Sequence, residues 1–236
     1  MTASNPIVLV GGSGLGPWAW GRVTPILNDH GFQTITPQLR TTGDDSTPAR
    51  TVGLGDWVED VTTKLTGHAD ATLVAHSFAG YVAAAVLERQ PHGIRQLILI
   101  DAVLPQPNKS WFDVMGPDVA AFMTSLAHDG AIPWFSREQL DQLYPGHGIT
   151  DADLAWMQQH LTAQPIGTYT QPAIREPLST TNASVAYVRC LQTSPPAADV
   201  SAEQFGWGCR TLDAGHWPMI TNPAETAQVV MDLAES

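Results

Sequence analysis

The sequence predicts an α/β protein: a mostly parallel sheet of about six strands, flanked by helices and carrying one helical insertion. Three observations predict it. Short continuous apolar runs (Ile7-Val8-Leu9-Val10, Leu73-Val74-Ala75, Leu97-Ile98-Leu99-Ile100) have the pattern of strands buried on both faces. Helical periodicities separate those runs, and alternating strands and helices imply βαβ units with parallel pairing. One stretch, Leu73-Val74-Ala75-His76-Ser77-Phe78-Ala79-Gly80, ends a strand pattern abruptly at a serine and passes straight into an alanine-rich helical run.

In chain order, residues 7–10 read as the first strand and Gly11-Gly12-Ser13-Gly14-Leu15-Gly16-Pro17 as a loop. Trp20, Val23, Ile26 and Leu27 recur at helical spacing, so residues 18–30 read as a helix stopped by Gly31. Residues 32–37 read as a strand and residues 38–55 as a polar loop. Asp56 is placed to cap a helix whose apolar face is Trp57, Val58, Val61 and Leu65. Residues 72–75 form the strand before Ser77, residues 78–90 the helix after it, and residues 96–100 another buried strand with Asp101 at its carboxyl end. The alternation then stops. Residues 105–181 read as an all-helical insertion, with helical patterns at 114–128, 137–144 and 151–162, between core segments 1–104 and 182–236. Strand character resumes at 184–191 and 209–212, His216 follows, and residues 224–234 close the chain as an amphipathic helix.

The bulk composition narrows the function. The chain has 236 residues, 43% hydrophobic and 14% charged, which suits one globular domain with a full core. A net charge of −12 argues against nucleic acid or an anionic membrane as partner, because both select clustered Lys and Arg. No apolar run approaches the roughly 20 residues that span a bilayer. The first six residues lack a basic segment, so no secretory signal is expected and a reducing cytoplasm is the expected setting. Cys190 and Cys209 are too few for a disulfide framework or a metal cluster, although a single bridge between neighbouring strands stays open. No cofactor is expected. Monomer and homodimer are both compatible with the sequence.

Ser77 has the placement of the nucleophile elbow, G-x-S-x-G, with alanines at both glycine positions, Ala75 and Ala79. A serine before a helix can also be a simple cap, but here a buried strand precedes it and small residues flank it. A serine nucleophile needs a base, a group that orients the base, and donors for the oxyanion. His216 follows the last strand and is the candidate base; His76 reads as a packing residue on the far side of the turn. The backbone N–H groups of Phe78 and Ser13 are the candidate oxyanion donors. The glycine-rich loop does not read as a dinucleotide site: Pro17 occupies the sixth position of the fingerprint, and Pro37 and Gln38 stand where an acidic residue would close the second strand.

On Val8-Leu9-Val10-Gly11-Gly12 with Trp18-Ala19-Trp20, Ala75–Tyr81, Leu97–Ala102 and Gly215-His216-Trp217-Pro218-Met219, the chain resembles the α/β-hydrolases along essentially its whole length. It is most similar to the branch that holds plant methyl-ester esterases, hydroxynitrile lyases and their bacterial relatives. The resemblance implies the α/β-hydrolase fold, a helical cap, a Ser–His–acid triad and ester-like substrates. Three departures stand out. Gly11-Gly12 replaces the family's His-Gly, which removes a side-chain hydrogen bond and leaves the Ser13 backbone donor. Gly12 and Trp217 replace the threonine and lysine of the lyases, so cyanohydrin cleavage is not expected. Thr193, or Ser194 with a one-residue slip, stands where the triad acid would follow the seventh strand. Asp101 is then the first candidate acid, because some lipases of the fold place theirs after that strand; Asp199 and Glu203 come next.

The leading expectation is a serine hydrolase acting on small to medium hydrophobic esters or lactones, with a pocket built from the Trp, Phe and Met residues of the insertion. Acyl transfer, cyclisation or elimination on the same site is an alternative, as is a ligand-binding protein on a hydrolase scaffold.

Overall fold

The apolar runs form a single six-stranded sheet in which every pairing is parallel. The computed structural model describes residues 5–89, 93–198 and 207–235. The sheet strands are β1 (Ile7–Val10), β2 (Thr34–Ile35), β3 (Ala71–His76), β4 (Ile94–Ile100), β7 (Ser184–Cys190) and β8 (Gly208–Leu212). Their spatial order is β2-β1-β3-β4-β7-β8, and a separate two-stranded ribbon pairs β5 (Ala131–Ile132) with β6 (Gln164–Pro165). Successive residues of a strand point to opposite faces, and the burial follows that rule. Val8, Val10, Leu73, Ala75, Leu97 and Leu99 pack on one face against α2 (Leu54–Leu65) and α3 (Ala79–Arg89). Ile7, Leu9, Val74, Ile98 and Ile100 pack on the other against α1 (Thr24–Asp29) and the C-terminal helix. Two-sided burial explains why these strands carry continuous apolar runs rather than alternation.

Several element boundaries differ from the expectation for local reasons. The helix expected over 18–30 is a 3₁₀ turn at Pro17–Trp20 followed by α1, since Pro25 starts the helix afresh near its N-terminus. The second strand keeps only Thr34–Ile35, at the sheet edge. Asp56 is not the residue that begins α2: Gly53 takes that place, and the Asp56 carboxylate reaches back to accept its N–H at 2.8 Å.

The segment between β4 and β7 holds α4 (Trp111–Met115), α5 (Pro117–Leu126), α6 (Arg137–Leu143) and α7 (Asp151–Met157). Ser110, Ser136 and Thr150 cap α4, α6 and α7 through their hydroxyls. Gly116, at φ 89°, divides the helix expected over 114–128 into α4 and α5. The insertion is not all helical, because the β5–β6 ribbon crosses it; two residues per strand are too few to show an alternating pattern. The chain then returns through β7 and β8 to α8 (Pro218–Thr221) and α9 (Pro223–Ala234). Both cysteines are free; the β7–β8 register sets Cys209 opposite Tyr187 and Cys190 opposite Leu212, out of bridging position. Among the described residues, no helix is long and apolar enough to cross a membrane.

Candidate active site

β3 ends in a tight turn that presents Ser77 at the carboxyl edge of the sheet. The Ser77 backbone is left-handed, at φ 54°. Its N–H donates to the Ile100 carbonyl (3.2 Å), and its own carbonyl accepts the Gly80 and Val103 amides (3.0 and 3.1 Å). These bonds hold a conformation that non-glycine residues otherwise avoid. Ala75 and Ala79 are fully buried. The close approach falls one residue later, at Gly80, where an added Cβ would overlap the Val103 carbonyl in the segment after β4.

His216 arrives in the loop after β8, and Asp101 stands at the end of β4, also in the left-handed region at φ 43°. The structure brings the three together. His216 Nε2 lies 2.9 Å from Ser77 Oγ, and His216 Nδ1 lies 2.6 Å from Asp101 Oδ2. A carboxylate accepts only, so Nδ1 carries the imidazole proton and Nε2 presents a bare lone pair to the serine hydroxyl. Asp101 is fully buried and His216 is 4% exposed. Burial works to raise the Asp101 pKa. The hydrogen bond and charge of His216, with donors at Thr193 Oγ1 (2.7 Å, to Oδ2) and the Cys190 amide (3.2 Å, to Oδ1), outweigh it and hold the carboxyl below its ordinary range. Thr193, the residue at the expected acid position, thus supplies a proton donor to a carboxylate carried by the neighbouring strand. Asp199 and Glu203 lie outside the described residues.

His76 departs from the expectation of packing away from the site. Its Nε2–H donates to the His216 carbonyl at 2.6 Å, and its ring lies 4.8 Å from that of His216. Burial pushes His76 down to about 3, so it stays neutral and steadies the backbone of its neighbour. Tyr144 also stacks on His216, with ring centroids 5.0 Å apart.

The loop after β1 runs against the nucleophile. A Cβ at Gly12 would sit 2.7 Å from Ser77 Cβ, so only glycine fits there. Ser13 follows, and its amide and that of Phe78, at the start of α3, have no backbone or side-chain acceptor among the described residues. The loop is tied to the cap on both sides of Gly14: its N–H donates to Gln164 Oε1 (3.1 Å), and its carbonyl accepts the Thr162 amide (3.1 Å). Ser13 Oγ meets Tyr169 Oη at 2.6 Å. Nothing in the sequence singled out Tyr169, Tyr144 or Gln164; each reaches the site through contacts more than 70 residues away along the chain.

A cavity of about 390 Å³ opens over Ser77 and His216. Among the described residues its wall holds no Lys, Arg, Asp or Glu, and Trp111, Phe122, Trp134, Phe135 and Tyr169 are among its lining. Ser77, His216 and Asp101 together with the two amides can form a nucleophile–base–carboxylate triad and an anion cradle, the minimum equipment for acyl transfer to a serine.

The sequence of residues 7–229 matches the model of the alpha/beta hydrolase family. A pimeloyl-[acyl-carrier protein] methyl ester esterase from Aromatoleum aromaticum is 32% identical over 136 residues, covering 53% of this chain; the chain spans about half of that relative's length, 51%. A carbendazim hydrolyzing esterase from Nocardioides sp. is 24% identical over 239 residues, covering 96% of this chain and 98% of the relative. Among solved structures, an extracellular alpha/beta-hydrolase from a Paenibacillus species superposes with a TM-score of 0.84 at 16% identity, covering 97% of this chain and 98% of the other. The fold, the residues matched and the relatives agree: the chain belongs to the alpha/beta hydrolase family.

Proposed function

We propose that the protein is a serine esterase that cleaves small to medium, uncharged, hydrophobic esters or lactones through an acyl-enzyme on Ser77. The observation that carries this reading is the continuous hydrogen-bond chain from Ser77 Oγ through His216 to Asp101, at 2.9 and 2.6 Å. As Ser77 Oγ bonds to the ester carbonyl carbon, its proton passes to His216 Nε2. The carbonyl oxygen becomes an oxyanion held by the Ser13 and Phe78 amides. Asp101 stabilises the imidazolium so formed, a role that needs an ionised carboxylate, and its lowered pKa keeps it ionised at neutral pH. Collapse of the intermediate breaks the bond to the alkoxy oxygen, which leaves with the proton from His216. Water then attacks the acyl-enzyme, His216 takes its proton, and the acid departs as Ser77 recovers its hydrogen.

The uncharged aromatic wall supports a neutral substrate, since a charged group buried there would find no partner. The esterase names of the Aromatoleum and Nocardioides relatives support the reaction class. The test is time-dependent modification by a fluorophosphonate followed by peptide mass analysis. One adduct on Ser77, absent from Ser77→Ala, is the expected result. Folded protein that acquires no adduct on Ser77 would overturn the reading.

A further inference from the structure

The Ser13–Tyr169 contact has a surplus proton. Two hydroxyls carry two protons, and one hydrogen bond between them, at 2.6 Å, uses only one. Neither oxygen has another partner among the described residues, and both residues line the cavity over Ser77. Tyr169 is 4% exposed, whereas Ser13 is only partly buried. The phenol is held by ring contacts with Phe78 at 4.6 Å and Trp111 at 4.5 Å. Burial pushes its pKa above the usual phenol value, against a smaller opposing pull from Ser13, so the phenol keeps its proton. Were Ser13 to donate, the buried phenol proton would have no acceptor among the described residues, so the arrangement that satisfies both hydroxyls is Tyr169 Oη–H donating to Ser13 Oγ, with the proton of the less buried Ser13 hydroxyl left to point into the cavity.

We propose that the Ser13 hydroxyl is a third donor to the substrate's carbonyl oxygen, oriented and polarised by Tyr169 from the cap. The inference rests on the acyl-enzyme reading above. Only Cα and Cβ separate Ser13 Oγ from the amide already placed at the oxyanion, so an oxygen that accepts from the amide lies within reach of the hydroxyl. A donor whose own oxygen accepts a hydrogen bond is the stronger for it. The loop cannot swing away to spoil the geometry, because Gly14 is bonded to Gln164 and Thr162 on either side. Tyr169 itself touches no reacting atom and is a positioning residue. In this arrangement the cap contributes to transition-state stabilisation as well as to the shape of the pocket.

The experiment compares Ser13→Ala, Tyr169→Phe and the double variant on a p-nitrophenyl ester, with a boronic acid as tetrahedral mimic and the product carboxylic acid as ground-state ligand. Ser13→Ala is expected to lower kcat about 10- to 100-fold with KM within about twofold, below the full effect known for a primary oxyanion donor. Tyr169→Phe is expected to lose about three- to tenfold. The double variant should match Ser13→Ala alone, because Tyr169 acts through Ser13. Boronate affinity should fall in step with kcat/KM while the product acid binds as before. A Ser13→Ala variant that keeps kcat within about twofold, or that changes KM alone, would overturn the inference, as would boronate affinity that does not move. If Ser13→Ala does not fold, Tyr169→Phe with the boronate decides by the same criteria. Labelling of Ser77 in the parent protein separates the two levels: no label removes the esterase reading, whereas a labelled parent with an unimpaired Ser13→Ala removes only the third donor.

Discussion

The two halves of the site are built differently. The proton-relay half is made of strand ends. Asp101 closes β4, His216 follows β8, and Thr193 follows β7, all at one edge of a single parallel sheet. Its carboxylate is fully satisfied, with His216 and Thr193 on one oxygen and the Cys190 amide on the other. The oxyanion half is a glycine-rich loop pressed between the nucleophile and the cap, held by bonds such as Gly14 to Gln164, 150 positions apart. Beyond it the cavity rim is apolar and open: Phe122 is 54% exposed and Leu143 48%. In the proposed reaction, proton handling is thus fixed by the sheet, while carbonyl recognition and substrate choice depend on how the cap sits on the first loop.

Three substitutions sharpen this division. On the oxyanion half, Gly12→Ala forces the loop off Ser77, and a displacement on the order of 1 Å should cost about 10²-fold in kcat; stopped assays of ester turnover read it, and a near-parental rate would show that the loop adapts. On the relay half, Thr193→Val keeps the shape but removes one donor to a buried carboxylate. Hydrogen bonds to charged groups contribute about 1.5–3 kcal/mol, so roughly a tenfold loss in kcat is expected. Because Thr193 helps hold Asp101 low, the acid limb of the pH–rate profile should move to higher pH; an unmoved limb would contradict the coupling. At the cap, Trp111 lines both the cavity over Ser77 and a neighbouring one of about 420 Å³. Trp111→Ala should join them and shift kcat/KM several-fold toward longer acyl chains in a homologous ester series, since each methylene in an apolar pocket discriminates by about tenfold or more.

A further effect concerns stability alone. The folded protein keeps His76 neutral down to about 3, whereas the unfolded chain binds that proton below about 6.5. Folding stability contributed by a neutral His76 is therefore present above pH 6.5 and declines as pH falls toward 3, by about 1.4 kcal/mol per pH unit. Denaturant melts of the parent and His76→Asn between pH 7 and 4 should diverge by that slope, and parallel curves would rule it out.

What the sequence made legible follows the same division. Buried parallel strands advertise themselves as apolar runs, and Ser77, Asp101 and His216 each sit directly after such a run or a few residues beyond it, so the relay half could be located residue by residue. The first loop was legible as a glycine cluster, but not the reason for each glycine: Gly12 answers to Ser77 and Gly14 to Thr162 and Trp134, neighbours that only folding supplies. Tyr169 and Gln164 lie in a short ribbon and 3₁₀ turn without periodicity, and their partners are in the first loop. Thr193 looked like the loss of an acid. Its hydroxyl is a donor to an acid that comes from the adjacent strand, which only the β4–β7 pairing reveals. His76 was legible as buried but not as a support for His216.

In the proposed reaction the carboxylate orienting His216 is carried by β4, at Asp101, and position 193 after β7 only assists it. The most direct measurement is the rate of Ser77 phosphonylation by a fluorophosphonate in Asp101→Asn beside Thr193→Val, because it does not depend on which ester the protein takes in nature. Asp101→Asn leaves the geometry while removing the charge, and in a serine protease that change costs about 10⁴-fold. A loss on the order of 10³- to 10⁴-fold is expected for Asp101→Asn and about tenfold for Thr193→Val. Labelling of folded Asp101→Asn within about tenfold of the parent would contradict it.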